Sequence, residues 1–172
     1  MTFSSSDSIG VFFDAIWRDK EGYVYLPTAG KEGDWKKTFF EWPKHRAHII
    51  KHVERNAAEG REVYYAPPLY KEPTKPVKEN ILGSYVLWAD FDGNAPESWG
   101  TETPDSSSGP SVTSTEPSLR VQSSTPDRQH TYWVLDEFIT SVPTLEAMNR
   151  SIAYTLKADP SCWDATQLLR PP

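Results

Sequence analysis

Two aspartates close the most apolar stretch of the chain. Ile81-Leu82-Gly83-Ser84-Tyr85-Val86-Leu87-Trp88-Ala89 runs into Asp90-Phe91-Asp92, and Gly93-Asn94 follows at once. Such a run reads as a buried strand over 81–91 that breaks after Asp92. Side chains alternate between the faces of a strand. Asp90 and Asp92 therefore share a face with Val86 and Trp88, while Leu87, Ala89 and Phe91 take the other. Two carboxylates at that spacing repel, which raises a carboxyl pKa unless something positive lies between them. A hard divalent cation with oxygen ligands would relieve the repulsion. The same pair also suits a solvated strand end beside a turn, so further residues are needed to define a site.

His130 opens a second apolar strand, Thr131-Tyr132-Trp133-Val134-Leu135, and shares one face with Tyr132 and Val134. A strand histidine is more often a hydrogen-bonded structural residue. Beside Arg128 and a carboxylate cluster it could instead donate to a triphosphate. Asp164 follows Cys162-Trp163, and Gln167-Leu168-Leu169-Arg170-Pro171-Pro172 follows in turn. A third carboxylate would complete a two-metal clamp of the kind that polymerases use.

In this order the motifs resemble the primase-polymerases of the archaeo-eukaryotic primase superfamily, in the form found in phage and plasmid replication proteins. That family has a strand ending in Asp-x-Asp or Asp-x-Glu, matched by Trp88-Ala89-Asp90-Phe91-Asp92. Its second motif ends in a histidine, matched by the stretch from Ser123 to His130, and its third is an apolar residue and a carboxylate, matched by Trp163-Asp164. Leu169-Arg170-Pro171 resembles the start of the arginine and Pro-Gly turn that follows in phage members. The likeness covers roughly Lys78 to Pro172. Arg128 departs from it, standing where the family often has a small residue, and Asp159 competes with Asp164 for the third motif.

The resemblance implies an RRM-like palm in which Asp90, Asp92 and Asp164 bind two Mg²⁺ or Mn²⁺ ions. His130, with Arg128, would hold the phosphates of the incoming nucleoside triphosphate. The implied activity is nucleotidyl transfer on a DNA template and primer. It also implies that the 172 residues form a single prim-pol domain, expected to be an N-terminal fragment of a larger phage or plasmid replication protein in which a helicase often follows. The rival readings are a non-catalytic nucleic-acid-binding module on the same fold and a metal-dependent nuclease using the same carboxylates.

The elements that must position these residues read as follows. An amphipathic helix is expected near Ser8–Arg18, with Ile9, Phe12, Phe13 and Ile16 as its apolar face. Strands follow at Tyr23–Leu26 and Lys37–Trp42. Pro43 suits the first turn of a helix reaching Ala58, with Ile50, Val53 and Ala57 on one face and Gly60 as its stop. Arg61–Ala66 is a further strand, halted at Pro67-Pro68. Residues 95–118 are rich in Ser, Thr, Pro and Gly and read as a mobile loop. Strands at Leu119–Ser124 and Gln129–Leu135, joined by a short turn, precede a helix at Thr144–Lys157. The fold class expected is α+β, two layers with a mixed or antiparallel sheet.

Composition narrows the setting. Seven Trp, eight Tyr and seven Phe supply a core for one domain. No run is long and apolar enough to span a bilayer, and the first residues lack the basic and apolar regions of a signal peptide. Cys162 is the single cysteine, which excludes an internal disulfide or a thiolate zinc site within the chain and fits a reducing cytoplasm. The formal charge is −6, yet residues 31–78 carry a local +4. A basic side could track phosphates while the acidic side holds cations; scattered solvated charge is the alternative.

His45, His48 and His52 stand close to one face of the second helix. Zinc, a phosphate-tracking face and an ordinary solvated helix are all open there, although Lys44, Arg46, Lys51 and Arg55 disfavour a metal. Trp35, Trp42, Tyr64, Tyr65 and Tyr70, interleaved with lysines, could stack bases or simply pack the core.

Overall fold

Ile9, Phe12, Phe13 and Ile16 recur at helical spacing, and helix α1 (Ser5–Trp17) buries all four. The computed structural model describes residues 5–93, 95–96, 116–122 and 128–172. Most of the expected 95–118 loop and the turn at 123–127 lie outside these residues. After α1 come β1 (Gly22–Tyr25), β2 (Thr28–Ala29), β3 (Trp35–Lys36) and β4 (Phe39–Trp42). Helix α2 (Arg46–Ala58) is followed by β5 (Glu62–Val63), β6 (Leu69–Tyr70) and a short 3₁₀ turn at Lys78–Asn80. The long strand β7 (Ile81–Asp92) precedes β8 (Leu119–Gln122), β9 (Arg128–Ile139) and helix α3 (Val142–Leu156).

Among the described residues the strands form a six-stranded sheet in the order β4-β1-β6-β7-β9-β8 and a small sheet in the order β3-β2-β5. Every pairing in both is antiparallel. The α+β class is the one the sequence predicts. No helix among the described residues is long and apolar enough to cross a membrane.

The long β7–β9 pair forms the centre. Val86, Leu87, Trp88, Ala89 and Phe91 are all buried, so this strand is covered on both faces. On the face of Val86 and Trp88, Tyr132 meets Phe12 of α1 edge-on at 5.4 Å. On the other face Ala89 and Phe91 pack with Ala153 of α3 and with Ala158. Gly83 marks where β7 leaves β6. Its φ of +152° suits only glycine, and a Cβ there would collide with the Ile139 carbonyl oxygen.

Three local expectations change. Pro43 is not in the first turn of α2. It follows a cis Trp42–Pro43 peptide bond, and the helix starts at Arg46 with His45 as its N-cap. The buried face of α2 is Ile49, Val53 and Asn56 rather than Ile50, Val53 and Ala57. The neighbouring isoleucines make the helix phase ambiguous in sequence, and Asn56 satisfies its buried amide by donating to the His52 carbonyl at 2.7 Å. Finally, the strand expected at Arg61–Ala66 is only β5, with a separate bridge from Tyr65 to Leu169.

Candidate active site

The register of the β7–β9 pair assembles the site. Asp90 lies opposite His130 and Asp92 opposite Arg128, with Trp88 opposite Tyr132. Directly opposed residues of an antiparallel pair share a face and lie close together. Burial then falls along that face toward the strand end. Trp88 and Tyr132 are fully buried, the Asp90 side chain is 21% exposed and that of Asp92 53%. The carboxylates stand where the apolar face opens to solvent.

They line a cavity of about 230 Å³ together with Arg128, His130, Tyr64, Leu168 and Arg170. Arg128 Nε is 3.1 Å from Asp92 Oδ1. His130 Nε2 stands 3.6 Å from Asp90 Oδ1, slightly beyond hydrogen-bonding distance. Burial lowers the His130 pKa to about 4, so the ring is neutral at pH 7. Its Nδ1 is buried, and the Arg170 backbone stands beside the ring.

Asp90 is perturbed in the opposite direction. Burial, then the like charges of Asp92 and Asp159, raise its pKa to about 6, and Arg128 only partly offsets this. Asp159 reaches this position through the end of α3. Lys157 adopts a left-handed conformation (φ 58°) that turns the chain back. The Asp159 N–H then donates to the Asp90 carbonyl at 2.8 Å, along the edge of β7 that β9 leaves open. Two more bonds dock the same region on that edge. The Trp88 N–H donates to Asn149 Oδ1 at 3.0 Å, and its indole N–H to the Cys162 carbonyl at 2.9 Å.

The structure does not bring Asp164 to the aspartate pair. Its carboxylate is 2.7 Å from Lys78 Nζ and accepts a hydrogen bond from the Thr166 N–H at 2.8 Å. Burial alone would raise its pKa, but the bonds from Lys78 and Thr166 hold it below the ordinary value. Lys78 also pairs with Glu146 at 2.6 Å. Asp164 thus sits in an ion-pair cluster outside the cavity, and of Asp159 and Asp164 it is Asp159 whose charge, with that of Asp92, acts on Asp90.

Tyr64, Leu168 and Arg170 complete the lining, and of these Leu168 carries no local signal for a site. The last segment pairs with the second residue beyond β5: Tyr65 and Leu169 exchange backbone hydrogen bonds at 2.8 and 2.9 Å. This draws Arg170 against β5, where its guanidinium donates to Glu62 at 2.9 Å and to the Tyr64 hydroxyl at 3.3 Å. The arginine is visible in the motif Leu169-Arg170-Pro171; its neighbours depend on a long-range bridge.

No group of three His, Cys, Asp or Glu side chains among the described residues is arranged to hold a metal ion. The oxygen donors of Asp90 and Asp92 nevertheless suit a hard divalent cation. Their mutual repulsion, incompletely offset by Arg128, is the state such an ion would relieve. Of the three histidines at α2, His45 and His48 meet edge-on with ring centres 5.7 Å apart. His45 accepts from the Glu41 N–H at 3.2 Å, and His52 packs edge-on against Phe40. His48 and His52 instead line a separate cleft of about 910 Å³ with Lys36, Lys51 and Arg55.

No protein-family model matches the sequence, and no curated protein is significantly similar to it. Solved structures do share the fold. The archaeo-eukaryotic primase domain of the cyanophage S-2L primase-polymerase superposes with a TM-score of 0.64 at 13% identity, over 96% of this chain and 80% of that one. Primase RepB′ gives 0.62 at 14% identity, over 98% of this chain, which spans 49% of it, about half its length. The catalytic domain of RepB′ in complex with initiator DNA gives 0.57 at 15% identity, over 96% of this chain and 74% of that one. The fold is therefore that of the archaeo-eukaryotic primase catalytic domain. The superposition takes in nearly the whole chain, including the first eighty residues, whose sequence carries little resemblance.

Proposed function

We propose that this fold serves here as the core of a DNA primase-polymerase, with template-directed nucleotidyl transfer at the pocket of Asp90, Asp92 and His130. The observation that carries the reading is the cross-strand alignment of Asp90 with His130 and Asp92 with Arg128 at the open end of a buried strand pair. It joins two anionic side chains to a phosphate-compatible cation and a neutral imidazole within one cavity.

Asp90 and Asp92 are the residues that would hold Mg²⁺ or Mn²⁺, and Asp159, which also accepts hydrogen bonds from Ser161, is the further carboxylate whose charge acts on Asp90. Bound divalent ions lower the pKa of an attacking 3′-hydroxyl and stabilise charge on the leaving pyrophosphate. The protein's own part is positioning and electrostatics. Arg128, placed by its bond to Asp92, offers charge-assisted hydrogen bonds to the nucleotide phosphates. His130, kept neutral by burial, presents one ring N–H as a donor without adding charge. Arg170 is braced by Glu62 and Tyr64 and can take a second phosphate edge.

Asp164 has a supporting role in this scheme. Through Lys78 it ties the segment before β7 to α3 and to the chain end. That DNA is the template is supported by the likeness to a primase catalytic domain solved with initiator DNA; nucleoside triphosphates are the substrates that a primase reading implies. A helicase in the same replication protein would supply the opened template.

The test is incubation of the purified domain with a labelled primer on a DNA template, nucleoside triphosphates and Mg²⁺ or Mn²⁺. Products longer than the primer, abolished by a chelator, support the reading. Shortened products would identify a nuclease, and an unchanged primer a binding module.

A further inference from the structure

Beyond Tyr64 the wall of the cavity continues into an exposed aromatic surface. Tyr64 lies 5.3 Å from Trp35, ring centre to ring centre, with 30° between the planes. Arg170 stands over the other part of this array, 5.4 Å from the Tyr64 ring centre. Among the described residues Trp35, 52% exposed, is the most open of the large aromatic rings apart from Tyr154. An indole left in solvent beside a polar cavity contributes little to the core.

We propose that Trp35, backed by Tyr64, is a stacking shelf for an unpaired base of a single-stranded nucleic acid entering the transfer site. The inference rests on the nucleotidyl-transfer reading for what the strand does there, but not for its binding. Stacking on an aromatic face is tolerant of sequence, because every base presents a π-surface. The tilted Trp35–Tyr64 pair holds the indole against a second ring, which limits its rotation and keeps one face available.

Charge favours a polynucleotide over a lone nucleotide as occupant. Trp35 lies on β3, the edge strand of the small sheet, and the exposed Lys36 and Lys37 follow it. Side chains alternate along a strand, so Lys36 turns to the opposite side from Trp35. There it lines the large cleft with Lys51 and Arg55 of α2, among which Glu54 and Glu59 are interspersed. Cations thus flank the shelf across the edge, as a phosphate backbone passing over it would require. A single nucleotide would already have its phosphates placed at Arg128, and the shelf offers no enclosure for its base.

The test measures binding of a fluorescein-labelled oligo-dT strand and, separately, of a fluorescent deoxynucleoside triphosphate, by anisotropy. Wild type, Trp35→Ala and Trp35→Phe are compared, with melting temperatures showing that each variant folds. Trp35→Ala is expected to weaken oligonucleotide binding roughly five- to a hundredfold. Trp35→Phe retains binding within a few-fold, and triphosphate affinity is unchanged in both. Unaltered oligonucleotide binding by Trp35→Ala overturns the shelf, as does an equal loss of triphosphate binding. Primer extension by wild type separates the two claims. If wild type extends and Trp35→Ala binds DNA normally, only the shelf is wrong. If nothing extends while Trp35→Ala still loses the oligonucleotide, the polymerase reading fails and the shelf stands.

Discussion

Replacing Asp164 and Asp159 in parallel by asparagine separates a structural carboxylate from a functional one. Asp164→Asn removes the charge that pairs with Lys78 at 2.7 Å while keeping an oxygen to accept the Thr166 N–H. The Asp164 and Lys78 side chains are 34% and 40% exposed, so the pair is worth about 0.5–1 kcal/mol. For a domain of this size such a loss lowers the melting temperature by roughly 1–4 °C. Because the folded-state pKa of Asp164 is depressed, its stabilisation is present above the ordinary carboxylate range and disappears as pH falls through the lowered value. The gap in melting temperature should therefore be seen at neutral pH and close in acid. Primer extension should fall only a few-fold. Asp159→Asn lies beside Asp90 and should cost on the order of a hundredfold or more in extension rate. The reasoning is refuted if Asp164→Asn abolishes extension in a folded protein while Asp159→Asn extends normally.

Asp90→Asn should stabilise the metal-free domain. The raised carboxyl, near 6, means that the folded state loses stability as pH rises from 3.8 through about 6. That shift corresponds to at most about 3 kcal/mol, and partial solvent access brings the expected gain at pH 7.5 in chelator to about 1–2 kcal/mol. Thermal melts should show no gain at pH 4; an equal gain at both values contradicts the electrostatic cause. Arg128→Ala should weaken triphosphate binding roughly tenfold. Its ion pair is half exposed, so chemical denaturation should hardly change. Lost stability with intact triphosphate affinity would make Arg128 structural. Gly83→Ala should destabilise the domain by roughly 2 kcal/mol or more, because its Cβ meets the Ile139 carbonyl and its φ is unfavourable. An unchanged denaturation midpoint would refute the close approach.

Much of this site is legible from local pattern. The two-residue period of a strand sets Asp90 with Asp92 and His130 with Tyr132, and the apolar run announces a central strand. What pattern leaves open is register. Only the observed pairing aligns Asp90 with His130 and Asp92 with Arg128, since a one-residue slip would send one set to the other face. The choice between Asp159 and Asp164 is likewise invisible in sequence. Both follow a helix and both have suitable neighbours; a left-handed Lys157 and a backbone bond to Asp90 bring Asp159 alongside β7. Tyr64 and Leu168 carry no periodic signal because the Tyr65–Leu169 bridge joins distant segments. Strands β2, β3, β5 and β6 have two residues each, too short for alternation to reveal. The phase of α2 was ambiguous because Ile49 and Ile50 are adjacent.

The central claim is that Asp90 and Asp92 carry nucleotidyl transfer. Its most direct test is the rate of primer extension on a DNA template with Mg²⁺ or Mn²⁺, measured for wild type, Asp90→Ala and Asp92→Ala at equal folded concentration. The account predicts products extended by wild type and a loss of roughly a thousandfold or more in each variant. A wild-type protein that adds no nucleotide, or variants that extend as fast as wild type, would contradict it.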